Sequence, residues 1–367
     1  MSKQSKENLI LLYLASKVVL PRVALAALRH NGVSAVLESL NTEEGIRNAE
    51  KVLGKTLTAK LTELKDVTDN EVFSLATEYV ERGVTVIFEG EEKYPENLYD
   101  LSDYPIILYC AGNIELLSQP SISVIGTRMP TKYGLFVGEK YGRTFAQSGI
   151  VVVSGLAAGI DGSAHTGANE ANGKTIGVLG AGIDIVYPVK NYTLFKQLKE
   201  TGLLISEYPP GTPPDRYRFP ERNRIIAALS EATVVIECGK NSGTLSTVKV
   251  AHRLNRGVYS VPHEIISESG IGGNTLILKG DAKITLSPQD VLDDLNLTVF
   301  TNEKRRESYP FDSDEARVTA YLQKGKAHYY DLVSNTGIPP AMLNTLLMKI
   351  ECDGVIAKLD AGYYCLV

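Results

Sequence analysis

Cysteine and histidine are scarce in this 367-residue chain. The four cysteines (Cys110, Cys238, Cys352 and Cys365) stand far apart with no C-x-x-C pair, and the five histidines are scattered. That spacing gives a zinc site no support, and no metal is expected. Cys110 and Cys238 end apolar runs, where a free thiol acts as a small buried hydrophobe, and a reducing, cytoplasmic setting is the expectation. Long apolar runs are lacking too. None approaches the roughly 18 residues a membrane helix needs, so no membrane partner is expected. Leu9–Leu14 is short, follows a polar start and lacks a small-residue cleavage site, which reads as a buried helix rather than a signal peptide. Nucleotide-cofactor fingerprints are also missing. Gly126-Thr127-Arg128-Met129-Pro130 stands where G-x-G-x-x-G would, and no G-x-x-x-x-G-K-[ST] occurs. Gly180-Ala181-Gly182 is only a loose echo, so NAD, FAD and ATP are not expected as cofactors.

Positive charge is short overall, at a net −5, but it is unevenly placed. Residues 1–120 hold 12 basic and 18 acidic side chains, residues 121–290 hold 18 and 14, and residues 291–367 hold 8 and 11. Only the middle section is positive, so a polyanion would bind there.

Three regions follow from the patterning. Apolar positions recur at helical spacing through Leu9–Val19, Val23–Leu28 and Val72–Val80, which predicts a helical domain over residues 1–82; its SAM- or helix-hairpin-helix-like type is an expectation from resemblance alone. From about Val84 the period changes. Thr85–Phe88 and Ile106–Tyr109 are short β-type runs. Ile122–Ile125, Ile150–Val153, Thr175–Leu179, Leu203–Ile205, Thr233–Ile236 and Val258–Val261 are apolar strands separated by helix-length stretches. Near-continuous apolar strands alternating with helices describe a doubly wound parallel α/β sheet over residues 83–298. A polar linker is expected over 299–311. Residues 312–367 read as three short helices (Glu315–Leu322, Tyr329–Asn335, Pro340–Cys352) and a hairpin turned by Asp360-Ala361-Gly362, a winged-helix-like arrangement.

In an open α/β sheet the ligand sits outside the carboxyl ends of the strands. Four of the six strands end in glycine, at Gly126, Gly155, Gly180 and Gly239. Glycine lets backbone N–H groups approach an anion, and each following helix presents its positive end. A single such glycine is usually only a turn; four on one edge suggest a phosphate-binding surface. Arg128 stands beside the first corner, Lys190 after the third, and Arg216, Arg218, Arg222 and Arg224 surround Phe219-Pro220. Ser242-Gly243-Thr244 opens the helix after Gly239 with hydroxyls and amides for an oxyanion. Cations interleaved with tyrosine and phenylalanine suit a groove that tracks a single strand, although an arginine-rich helix start can also be a plain salt-bridged surface. Asp161 and His165, four apart on the helix after Gly155, read as a helix-start brace.

Six blocks in order resemble the DNA-processing protein A (DprA/Smf) family: GTRMPTKYG (126–134), SGLAAGIDGSAH (154–165), TIGVLGAGIDIVYPVKN (175–191), SEYPPGTPP (206–214), FPERNRIIAALS (219–230) and SGTLST (242–247). The resemblance implies an extended Rossmann-like domain that binds single-stranded DNA, forms a homodimer through that domain, and helps load a RecA-type recombinase during natural transformation. Carried onto this sequence, it points to Gly126, Thr127, Arg128 and Lys190, then Arg222 and Arg224, with Lys132, Gly155, Asn191, Asn223, Ser242, Gly243 and Thr244 alongside. His263 replaces the family's usual glycine after Val-Pro, and Cys238 stands where a small residue such as alanine is more usual.

Two other readings stay open. A nucleotide phosphoribohydrolase of related fold would need the glutamate of PGGxGTxxE, and aligning Gly243-Thr244 with its Gly-Thr puts Thr247 at that position, which leaves the acid–base role without an occupant. A protein–protein adaptor would use the acidic C-terminal region, whose 310–367 segment holds five basic and seven acidic residues.

Overall fold

The computed structural model describes residues 3–18, 20–297, 313–352, 355–359 and 362–366. Two compact units are present, Met1–Phe300 and Thr301–Val367. The expected linker, 299–311, and most of the expected 360–362 turn lie outside the described residues.

The larger unit is built on a nine-stranded sheet: β1 (Thr85–Phe88), β2 (Ile107–Gly112), β3 (Ser121–Ile125), β4 (Val151–Ser154), β5 (Thr175–Leu179), β6 (Leu203–Ser206), β7 (Ala232–Val235), β8 (Gly257–Ser260) and β9 (Lys283–Ile284). Their spatial order is β1-β2-β6-β5-β4-β3-β7-β8-β9. From β6 to β9 every neighbouring pair is parallel, whereas β1–β2 and β2–β6 are antiparallel. Strands β2 to β7 are almost wholly buried because both faces are covered. Along β2 the alternation is visible: Ile107, Tyr109 and Ala111 pack toward the N-terminal helices, while Leu108 and Cys110 pack with Ile225 and Leu229 of the helix Arg218–Leu229. The chain winds from β3 through β4 and β5 to β6 on one side, then returns to β7 on the other. The β3/β7 boundary is therefore the switch point of the sheet.

Six helices between Lys3 and Glu81 precede the sheet. They have no separate core. Leu11, Leu14, Leu28, Leu61 and Tyr79 share one cluster with Tyr109, Leu156, Phe195 and Leu204. Strand β9 was not expected from the sequence, since Lys283 and Ile284 are both exposed and no apolar run marks them.

The smaller unit holds helices Asp314–Leu322, Tyr329–Thr336 and Pro340–Cys352 and a three-stranded antiparallel sheet: β10 (Ala327–His328), β11 (Ile356–Lys358) and β12 (Tyr363–Leu366), in the order β10-β12-β11. Its own core includes Val318, Leu332, Leu343, Leu347, Ile350 and Ile356. No helix among the described residues is long and apolar enough to cross a membrane.

Candidate nucleic-acid interface

At the end of β3 the chain turns sharply and opens the helix Lys132–Gln147, whose N-cap Thr131 accepts a hydrogen bond from the Gly134 amide at 3.0 Å. Arg128, in that turn, is exposed and makes no ion pair among the described residues. Its guanidinium lies over the Phe219 ring, 4.7 Å from the centroid. Phe219 in turn packs beside Tyr187, with ring centroids 5.3 Å apart and planes tilted by 30°. Tyr187 is 42% exposed. These three side chains form a stacked array, two aromatic rings and a planar cation, along one wall of a pocket that also takes in Gly155 and Gly180. Lys190 stands exposed beyond Tyr187, again without an ion pair among the described residues. Tyr192 and Val189 add exposed surface beside it.

The glycines of the corners act differently from an open anion cradle. Gly155 donates its N–H to Asp161 Oδ2 at 3.2 Å, and the Thr127 N–H goes to the Glu237 carbonyl at 2.7 Å. Close packing explains the absence of side chains instead. A Cβ on Gly155 would lie 2.4 Å from the Arg222 guanidinium, and one on Gly180 would lie 2.9 Å from the Phe219 ring. Gly159 has φ +86°, and a Cβ there would meet the Thr127 carbonyl oxygen at 2.3 Å. Only glycine lets the loop after β4 dock against the loop after β3.

Arg222 and Arg224 are inside the protein, not on its surface. Arg222 is 2% exposed and donates through Nη1 to the carbonyls of Gly155, at 2.6 Å, and Val178. It bridges the ends of β4 and β5 from beneath. Burial pulls its pKa down to about 10, so it stays charged at neutral pH. Asp161, also buried, has its pKa raised by desolvation against the opposing pull of Arg222 and Arg128. Arg224 pairs with Glu207 at 2.6 Å and Asp103 at 3.1 Å, on the far side of the same helix. Arg222 and Arg224 stand about 200° apart around the helix, on opposite sides of it, and both sides are covered, as the unbroken buried run Ile225, Ile226, Ala227, Ala228 and Leu229 shows. Their cations hold carbonyls and carboxylates in place of an external phosphate.

The amides of the site are committed as well. Asn191 donates to the Leu156 and Ala157 carbonyls, both at 3.0 Å, and so pins a non-glycine residue whose φ is 52°. Asn223 accepts from Arg222 Nε at 3.2 Å and donates to Ser246 Oγ at 3.0 Å, joining two helices. On the β7 side, Ser242 Oγ receives the Thr244 N–H at 3.2 Å, Thr244 is buried, and Gly243 is exposed with open space around its Cα. Lys132 is exposed in the first turn of its helix. From β5 to β7 the edge spans three strand spacings, roughly 15 Å.

Asp161 supplies the brace expected of it, through the Gly155 amide. His165 does not join it; its Nδ1 meets Thr175 Oγ1 at 2.6 Å in the core. Two features were not singled out from the sequence. One is the Phe219–Tyr187 pair as a defined platform. The other is Glu237, fully buried at the switch point, whose carboxylate accepts from Thr131 N at 3.0 Å and from Ser269 Oγ. It ties the first crossover of the domain to the last, and nothing in Ile-Glu-Cys-Gly marks those partners.

Residues 85–296 match the family model of DNA recombination-mediator protein A. Protein Smf of Synechocystis is 38% identical over 224 residues, 60% of this chain and 56% of the relative, so the match spans little more than half of that relative's length. Among solved structures, DNA processing protein A from Streptococcus pneumoniae is similar with a TM-score of 0.57 at 30% identity, covering 75% of this chain and 98% of the other. DNA processing protein A from Helicobacter pylori, whose structure addresses its single-stranded DNA binding mode, has a TM-score of 0.53 at 30% identity and covers 58% of this chain and 95% of the other. The family model covers more than half the chain, and it falls on the sheet whose edge carries the Arg128–Phe219–Tyr187 array. The chain belongs to the DNA recombination-mediator protein A family.

Proposed function

We propose that this protein binds single-stranded DNA along the carboxyl ends of β5, β4, β3 and β7 and delivers it to a RecA-type recombinase during natural transformation. The observation that carries the reading is the Arg128–Phe219–Tyr187 array, exposed at Arg128 and Tyr187 and half-buried at Phe219, with Lys190 beside it. Rings and a guanidinium offer faces on which any base stacks, and unpaired cations hold the backbone. The Helicobacter pylori relative, whose structure addresses its single-stranded DNA binding mode, supports single-stranded DNA as the ligand. Base-edge readout is not needed, so sequence preference should be low. Affinity should fall steeply with salt as counterions are released.

The reading is non-enzymatic and cytoplasmic. The buried acids nearest the site, Asp161 and Glu237, already accept hydrogen bonds from the chain. A homodimer fits the free end of the sheet, where Leu278, Ile284 and Leu286 are exposed around edge strand β9. The recombinase step rests on family membership. Fluorescence anisotropy of labelled single-stranded and duplex oligonucleotides at two salt concentrations tests the core of the proposal. Tight, salt-sensitive, single-strand-selective binding is expected. A folded Arg128→Ala/Lys190→Ala double variant that bound single strands like wild type would remove the site assignment.

A further inference from the structure

Arg218, the first residue of the helix Arg218–Leu229, is 6% exposed. Arg222 faces Asp161 and Arg224 pairs with Glu207 and Asp103, but Arg218 makes no ion pair among the described residues. Its Nη1 donates to the Pro213 carbonyl, and its Nε is buried without an acceptor among the described residues. A cation at this end of a helix adds to the positive end of the dipole instead of opposing it. What meets the charge is aromatic: the guanidinium carbon stands 5.2 Å from the Tyr208 ring centroid and 5.3 Å from that of Tyr217. Cation–π attraction is strongest in such a desolvated setting. Tyr208 is half-buried and its hydroxyl donates to Glu221 at 2.9 Å, whereas Tyr217 is 53% exposed. At Phe219 the cation is outside and the ring half-buried; at Tyr217 the ring is outside and the cation buried.

We propose that Tyr217 is a second stacking station for the single strand, at the carboxyl end of β6, with Arg218 as the residue that positions its ring. The inference rests on the reading of the neighbouring sheet edge as the DNA surface. Tyr217 has helical backbone angles (φ −71°, ψ −25°), so it projects about 200° around the axis from Phe219. The two rings therefore flank the helix start on opposite sides. Phe219 lies over Gly180, just past β5. On the Tyr217 side, the guanidinium reaches Tyr208, whose N–H donates at 3.0 Å to the Oγ of Ser206, the last residue of β6. Strands β5 and β6 are neighbours in the sheet, so a strand that runs along this edge past Phe219 meets Tyr217 next. Arg216, exposed and without an ion pair among the described residues, stands one residue away to take a phosphate. Stacking needs only a ring face, so the station lengthens the track without adding sequence preference.

The chain has no tryptophan, so Tyr217→Trp gives a full-length protein whose indole emission reports on this position alone. Titration with unlabelled oligothymidylate should quench that emission, with saturation at the strand concentration that saturates the anisotropy of a labelled strand. Arg218→Met in the same protein should make the quenching shallower, a change that lost stability does not produce in a chain that is still folded. Tyr217→Ala should weaken binding by roughly 5- to 150-fold, and Tyr217→Phe should leave it unchanged. Unquenched emission in a protein whose anisotropy shows strand binding, or Tyr217→Ala binding like wild type, would overturn the second station and leave the Phe219 platform standing. If wild type itself bound no single strands, the DNA reading would fall and the station with it.

Discussion

Arg128 and Arg222 lie close together at one edge of the sheet, and they should fail in opposite ways. Arg128 is exposed, and its guanidinium lies over the Phe219 ring. Losing a cation–π contact at an exposed site costs about 0.5–1 kcal/mol of stability. In complex with DNA the same guanidinium would make a charge-assisted bond to phosphate, worth about 1.5–3 kcal/mol. Arg128→Ala should therefore weaken single-strand binding by roughly 10- to 150-fold. It should also flatten the plot of log affinity against log salt by about 0.7 for the one charge removed. Arg222 is the reverse. Its guanidinium holds the Gly155 and Val178 carbonyls and faces the buried Asp161. Arg222→Met leaves those carbonyls and that acid without their cation, and breaking a buried pair from one side costs roughly 3–5 kcal/mol. For a unit of this size the melting temperature should fall by on the order of 10 °C. Thermal unfolding followed by circular dichroism, with anisotropy titrations below the melting range, measures both quantities on both variants. If Arg128→Ala bound normally while Arg222→Met kept full stability and lost DNA, the division into a surface cation and an internal brace would be refuted.

Three further outcomes follow from neighbouring residues. Phe219→Ala should lower single-strand affinity by about 1–3 kcal/mol through lost base stacking, and Phe219→Tyr should restore it; equal affinity for all three proteins would rule the platform out. Gly159→Ala should destabilise by roughly 1–3 kcal/mol for the φ of +86° alone, with more from the contact to the Thr127 carbonyl, and urea unfolding would show no change only if the two loops were not docked. Burial holds the pKa of His165 down at about 3, below the unfolded value near 6.5. A depressed pKa means the neutral imidazole contributes its stability in full above pH 6.5 and loses it as pH falls toward 3. Between pH 6.5 and 5 wild type should lose up to ~1.4 kcal/mol per pH unit more than His165→Asn, and parallel pH profiles of the two proteins would contradict that.

The sheet was legible because both of its faces are covered, which forces continuous apolar strands such as Val151-Val152-Val153 that no surface strand tolerates. Strand β9 was not, because two exposed residues at an edge carry no such signature. Within the site, composition left the arginines of RYRFPERNR looking equivalent, as a groove wall or a salt-bridged helix start, and the family resemblance pointed Arg222 and Arg224 toward DNA. Helical spacing separates them. Arg222 is three, four and seven residues before Ile225, Ile226 and Leu229, and Arg224 is three and four before Ala227 and Ala228, so each heads its own buried row of a helix that is covered on both sides. Phe219 precedes Arg222 by a single turn, half-buried at the start of the same helix, where its ring rests on Gly180. Thus one helix carries the platform at its mouth and the platform's support a turn deeper. A cation on an apolar stripe is better read as a buried brace than as a ligand for phosphate, and the glycine beside it as the space that the guanidinium fills.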